Sequence, residues 1–263
     1  MNRTSDTVRQ VGVLVLALLA IAGAAVGSGA FGGTPIAEAA DGALSATATP
    51  VAPASTAFSI WSVIYMGLVA YAVWQLLPAQ RTDARQRRTG WLAAASMVLN
   101  AVWILVVQAG ALWLSVVVIL ALLLVLVRIL LVLMSTPART TLERVVVDGT
   151  FGLYLGWVTI ATIANIAATL AAAEVGELGL GATGWSVVLL AAAAVIGILF
   201  AVRTGGRITI ALALAWGLAW VAVGRASGET ENTTVAVAAA VAAVLTLGAA
   251  MVVALRRRTS TPR

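Results

Sequence analysis

The sequence contains no cysteine, no histidine and no lysine. Without cysteine the chain has no disulfide, no thiolate nucleophile and no cysteine metal site. Without histidine it lacks the usual proton shuttle and the commonest ligand of haem iron and other metals. Charged residues make up only 10% of the chain, and no acid–base pair, nucleophile constellation or phosphate-binding loop is visible. We therefore do not expect an enzyme.

What the sequence has instead is apolar residues. They form 62% of the 263 residues, and the mean hydropathy is +1.04. A soluble domain of this size does not need so much apolar surface, so the composition predicts an all-α polytopic membrane protein. The net charge of +6 comes from arginines that mostly flank apolar runs. It indicates membrane orientation rather than a nucleic-acid partner.

The apolar runs predict eight transmembrane spans. They cover 11–31, 57–78, 91–134, 146–173, 184–202, 208–224 and 233–255. The third run is long enough for two spans, because no charged residue lies between Arg88 and Arg128 and each residue of a helix advances about 1.5 Å. The sequence QAGALW at 108–113 is the expected hairpin, since Gly110 permits a tight turn.

The arginines predict the orientation of these spans. They precede span 1, fill the loops after spans 2, 4 and 6, and end the chain. The positive-inside rule then places both termini in the cytoplasm. Arginine without lysine indicates a high-GC bacterial genome, so we expect a multi-pass protein of the bacterial cytoplasmic membrane. Arg225, in the loop after span 7, is the exception. Span 1 also resembles a signal peptide, with a candidate cleavage site at Ala37-Glu38-Ala39, but a retained helix is favoured because that site lies well beyond the apolar run.

The loop between spans 1 and 2, residues 32–56, is long and extracytoplasmic in this topology. Pro35, Pro50 and Pro53 predict an extended or irregular backbone there. Long loops in compact proteins are typical of lids, binding loops or disorder.

Stripes of aromatic and amide residues mark spans 2, 3 and 5. Asparagine is costly in hydrocarbon unless it hydrogen-bonds across helices, so these stripes are expected to face the bundle interior. One interpretation is that they only pack helices together; the other is a small-molecule pocket, which has apolar walls and a few placed polar groups. The stripe residues are Trp61 and Tyr65 on span 2, Asn100 and Trp103 on span 3, and Tyr154, Trp157 and Asn165 on span 5.

Three further residues have expected roles near the membrane interface. Trp74, near the end of span 2, is expected to be an anchor at the membrane interface. Arg128 and Asp148 approach the same interface on consecutive spans. Snorkelling of Arg128 and placement of Asp148 at a helix start is one interpretation, and an Arg128–Asp148 ion pair is the alternative.

Three motifs resemble a known family. WSVIYMG at 61–67, LNAVW at 99–103 and YLGWVTIATIAN at 154–165 are similar to the second, third and fifth helices of the tryptophan-rich sensory protein/translocator protein (TspO/MBR) family. The resemblance covers roughly residues 11–173. It implies a five-helix bundle, often dimeric, whose pocket binds tetrapyrroles such as protoporphyrin and haem.

Carried over to this chain, the resemblance makes the seven stripe residues candidates for lining or supporting a ligand pocket between spans 2, 3 and 5. It also predicts a division into a TspO-like bundle, residues 1–173, and an additional three-span region, residues 174–263. No cofactor is assigned beyond a porphyrin or haem ligand, whose iron only tyrosine or methionine could ligate. The alternatives are a permease for a small neutral or lipid-like solute and a structural membrane protein without a ligand.

Overall fold

The computed structural model confirms the predicted class, an all-helical polytopic membrane protein. It describes residues 3–27, 34–36, 38–227 and 230–259. Within these, eight helices are long and apolar enough to cross a bilayer. Their α-helical parts are α1 (Arg3–Gly27), α2 (Ile60–Trp74), α3 (Ala84–Gln108), α4 (Leu112–Ser135), α5 (Thr150–Ala172), α6 (Gly181–Thr204), α7 (Ile208–Arg225) and α8 (Thr233–Thr259). The spans that contain α2 and α5 begin earlier, at Ser55 and Thr141, in the short helical turns that precede them.

The helix ends follow from local chemistry. Gly110 has a φ of +72° between α3 and α4, so the predicted hairpin is present at a residue that tolerates this conformation. The side chain of Asp83 caps α3 by accepting hydrogen bonds from the backbone N–H groups of Arg85 (2.9 Å) and Gln86 (3.0 Å). Helix α2 ends at Trp74, earlier than the predicted boundary of 78, because Pro78 begins a new short helix and holds Leu77 in an extended conformation.

The loop before α2 is largely irregular where the structure describes it. Short 3₁₀ turns occupy Ala40–Gly42 and Ser55–Ser59, and the second leads directly into α2. The first residues of the predicted loop, up to residue 33, lie outside the described residues. Ala37, part of the candidate cleavage site, lies outside them as well.

The chain packs as two compact units. The first contains residues 1–40 and 61–151, and the second contains residues 41–60 and 152–263. The second unit therefore combines most of the loop before α2 with α5 and the last three helices. The predicted division at residue 173 follows the extent of the family resemblance rather than the packing of the chain, and it stays a prediction.

In the first unit, α3 packs against α1 and α4, and a buried ion cluster supports it. The guanidinium of Arg85 donates to Glu143 (2.8 Å) and to Asp148 (2.6 Å), and all three residues are buried. Glu143 precedes a π-helical segment, Arg144–Gly149, that contains Asp148 and runs into α5.

The alternative interpretation, an Arg128–Asp148 ion pair, is wrong. Asp148 binds Arg85 instead, while Arg128 is exposed and forms no ion pair among the residues that the structure describes. The physical reason is burial: two carboxylates taken out of water need a buried counter-charge, and an exposed arginine does not provide one.

We predict that Arg85→Gln lowers the free energy of unfolding by about 3–5 kcal/mol, because it leaves two buried carboxylates without a positive charge. Arg88, which is exposed, gives the control, and Arg88→Gln should have little effect. Replacing Arg85, Glu143 and Asp148 together with Met, Gln and Asn should recover much of the loss. Chemical denaturation in detergent measures all three, and equal effects of the two single substitutions would contradict the assigned role.

In the second unit, small residues let helices approach closely. α8 packs against α6 and α7, and α5 lies against α7 at Gly156. A Cβ on Gly156 would lie 2.2 Å from the backbone oxygen of Ile210, and one on Gly217 would lie 2.5 Å from the Ile160 side chain. Close packing through glycine is a common way for membrane helices to associate, since lipid provides no hydrophobic drive between them.

We expect Gly156→Ala to destabilise the protein by about 1–3 kcal/mol, because a backbone oxygen cannot move aside for the new methyl group. Gly248 in α8 is the matched control, since a Cβ there meets nothing within 4 Å. Gly248→Ala should be neutral or slightly stabilising, because alanine has the higher helix propensity. Thermal unfolding in detergent distinguishes them, and equal melting temperatures would refute the close contact.

Candidate functional site

The first unit brings together three of the predicted site residues. The rings of Trp61 and Tyr65 are stacked, with centroids 5.3 Å apart and 21° between their planes. The amide of Asn100 on α3 donates a 2.8 Å hydrogen bond to the Tyr65 hydroxyl. Both rings are partly exposed and Asn100 is buried. The prediction that Asn100 faces the interior and bonds across helices is confirmed.

Residues four apart share a helix face, which is why Trp61 and Tyr65 can stack along α2. The hydrogen bond from Asn100 then holds the Tyr65 ring in place, because a hydroxyl that left its partner would lose a hydrogen bond in an apolar environment. Gly67 ends the same motif, and a Cβ there would lie 2.5 Å from the Thr150 hydroxyl. The motif therefore combines an aromatic stack with a close packing contact.

Trp103, the fourth candidate in this unit, is buried one turn beyond Asn100 on α3. Trp74 is buried as well, with only 8% of its surface exposed. The expectation that Trp74 is an interface anchor is therefore wrong, because an anchor keeps its ring at the outer surface of the bundle. Tyr71 is fully buried and makes an edge-to-face contact with Phe151, with centroids 5.1 Å apart.

The other three candidates belong to the second unit, and all are buried on α5. Trp157 makes an edge-to-face contact with Phe58, with centroids 5.6 Å apart and planes at 80°. Asn165 faces the interior, as predicted, and its amide lies 3.5 Å from the Thr169 hydroxyl on the same helix. Tyr154 is fully enclosed.

The motifs do not include every residue that supports these helices. Phe58 lies before the span-2 motif, yet it packs on Trp157. In the first unit, Gln10 and Gln75 exchange hydrogen bonds, each amide donating to the other's backbone oxygen at 2.6 and 2.8 Å. The sequence does place one glutamine of span 1 and one of span 2 on the same predicted side of the membrane. It does not show that these two glutamines pair, because pairing depends on how the helices pack.

Chemically, the arrangement in the first unit offers a flat aromatic surface with one fixed hydroxyl. Stacked indole and phenol rings suit contact with another planar, apolar ring system. Within the described ranges, no group of three or more acidic side chains is placed to hold a metal ion.

A family model described as "TSPO-like protein" matches residues 13–252. The chain belongs to the TSPO-like protein family. The match extends past residue 173, where the quoted motifs end, and so includes most of the last three helices of this TSPO-like protein. Searches of curated proteins and of solved structures found no match to the chain.

We predict that Tyr65 and Asn100 of this TSPO-like protein are energetically coupled. Tyr65→Phe and Asn100→Ala each break the same hydrogen bond, so their combined cost should fall short of the sum by about 0.5–1.7 kcal/mol, the range found for such bonds in membrane proteins. A double-mutant cycle by denaturation in detergent measures this difference. Strict additivity would show that the bond contributes nothing to stability.

Proposed function

We propose that this TSPO-like membrane protein binds a planar hydrophobic ligand of the tetrapyrrole type, such as a porphyrin, and acts as a binding or sensory protein of the bacterial cytoplasmic membrane. The observation that carries the proposal is the stacked Trp61–Tyr65 pair, fixed by Asn100 and left partly exposed.

The chemistry of the pair fits a porphyrin ring. A macrocycle presents a broad π face, and offset stacking or edge contact with indole and phenol stabilises it beyond the area buried. Because Asn100 already holds the Tyr65 hydroxyl, little side-chain freedom is lost when a ligand binds, which favours affinity.

The second unit offers a related element of its own. Trp157 is held edge-to-face by Phe58, and it is the tryptophan of the YLGWVTIATIAN motif. We propose that Trp157 also contributes to ligand binding, which its own substitution tests separately.

We expect the protein to recognise the porphyrin ring rather than a bound metal, because of the side chains that it lacks. With neither histidine nor cysteine in the chain, the usual axial ligands of haem iron are missing. We therefore expect metal-free protoporphyrin and its iron complex to bind with similar affinity.

The test is a fluorescence titration of the purified protein with protoporphyrin IX. Quenching of tryptophan emission should saturate, with a dissociation constant in the micromolar range or below. Trp61→Phe should weaken binding roughly three- to tenfold, the equivalent of one aromatic contact. Trp157 is only 2% exposed, so Trp157→Phe should weaken binding through the disturbed packing on Phe58.

Each substitution has a control in its own unit. Trp113 in the first unit is 59% exposed, and the Trp220 side chain in the second packs edge-to-face on Trp216. Trp113→Phe and Trp220→Phe should leave the dissociation constant unchanged. Unsaturable quenching, or equal affinity in all four variants, would refute the proposal.

A further inference from the structure

The second unit contains an apolar cavity of about 370 Å³. The last turns of α5 and the first turns of α6 form its walls, the connection between them contributes Val175–Leu178, and Thr49–Val51 of the loop before α2 cover it. Its size falls in the usual range of small-molecule sites, roughly 300–1,000 Å³. Among the described lining residues are none of the seven stripe residues.

The polar groups in these walls mostly have partners within the protein. The indole N–H of Trp185 donates to the backbone oxygen of Glu177 (2.7 Å), and the Ser186 hydroxyl donates to that of Ala182 (2.7 Å). What these walls present to an occupant is therefore chiefly apolar, from residues such as Leu170 and Leu189.

The rim of the cavity indicates where an occupant comes from. Val175 and Leu178 are 52% and 86% exposed in the α5–α6 connection, at the end of these helices that the arginine pattern predicts to be extracytoplasmic. Exposed apolar side chains at the end of a membrane span are suited to contact with lipid rather than with water. The cavity therefore opens where molecules dissolved in that leaflet can reach it.

Arg225 holds the roof of the cavity in place. This buried arginine, 3% exposed, donates to the backbone oxygens of Ala46 and Ala52 (the latter at 3.2 Å), on either side of Thr49–Val51. The N–H of Ala54 also donates to the backbone oxygen of Trp220 (3.1 Å). These bonds explain the one arginine that departs from the positive-inside pattern: its charge serves the loop, not the orientation of the chain.

Two residues indicate which polar head group the occupant carries. Thr49 is buried in the roof, and its hydroxyl has no hydrogen-bond partner among the described residues; after rotation of the side chain, a hydroxyl on the occupant would provide one. Glu177 lines the cavity, and no basic residue does so in the described part of the chain. A negatively charged head group would be repelled.

We propose that this cavity binds the aliphatic chain of an uncharged, single-chain amphiphile, such as a long-chain alcohol, under a roof that Arg225 positions. The site takes an occupant from the leaflet on the side opposite the arginine-rich loops. It is separate from the aromatic site, so it stands or fails independently of porphyrin binding.

The test uses the full-length protein in phosphatidylcholine nanodiscs and two photoreactive probes of equal chain length, one a long-chain alcohol and the other its carboxylic acid. After irradiation, peptide mass spectrometry should find the alcohol on residues 166–189 and 46–54. Excess unlabelled alcohol should reduce this labelling about tenfold, whereas general labelling of lipid-facing helices should not respond.

A matched pair of substitutions tests the cavity itself. Ala182→Phe places a ring in the cavity and should reduce labelling about tenfold, which corresponds to about 1.4 kcal/mol. Ala192→Phe is the control, because Ala192 is also exposed on α6 but does not line the cavity. Equal labelling of the two variants would overturn the proposed site.

The roof and the charge have their own variants. Arg225→Gln should reduce labelling and increase hydrogen exchange at the amides of Ala52 and Ala54. Arg225→Lys should have an intermediate effect, because lysine keeps the positive charge but lacks the several N–H donors of the planar guanidinium. The ionised acid should label weakly, and Glu177→Gln should bring it to the level of the alcohol. Unchanged exchange in Arg225→Gln, or equal labelling by both probes in the unmodified protein, would contradict the corresponding assignment.

Discussion

The absence of water in the bilayer core is the constraint on which this structure depends. A polar group there has no solvent to bond, so each one needs a partner within the protein. Helices satisfy the hydrogen bonds of the backbone, and the Asn100 side chain satisfies the Tyr65 hydroxyl. Burial within the protein makes the same demand where α3 begins, and there Arg85 neutralises two carboxylates. The features that distinguish this chain from a plain bundle of apolar helices are the places where that requirement is met between distant parts of the sequence.

The number and type of the helices could be predicted because they depend on local properties. Hydrophobic length determines how many spans fit, and Gly110 marks the turn between α3 and α4 without any knowledge of the fold. The same holds for shared helix faces: Trp61 and Tyr65 stack because they are four residues apart. The interior position of Asn100 also followed from its chemistry, since an amide in hydrocarbon needs a partner.

The choice of partners could not be predicted, because it depends on packing between residues far apart in the chain. Asp148 binds Arg85, 63 positions earlier, rather than the nearer Arg128. Arg225 donates to the backbone of a loop 173 residues before it. From the distribution of charges among the loops, Arg225 could be recognised only as an exception to the positive-inside rule. Trp74 is enclosed although a tryptophan at the end of a span is more often an anchor. In each case composition identified an unusual residue, and the folded chain identified what it does.

The π-helical segment Arg144–Gly149 affects how the chain can be compared with its relatives. In a regular α-helix two residues five apart point about 140° away from each other, yet Glu143 and Asp148 hold the same guanidinium. Widening the helix by one residue in that turn brings them together. Such a turn behaves as a one-residue insertion. It therefore determines which way the aromatic stripe on α5 faces relative to the residues before the turn. A relative without the insertion would align with this chain only through a single-residue gap before the YLGWV motif.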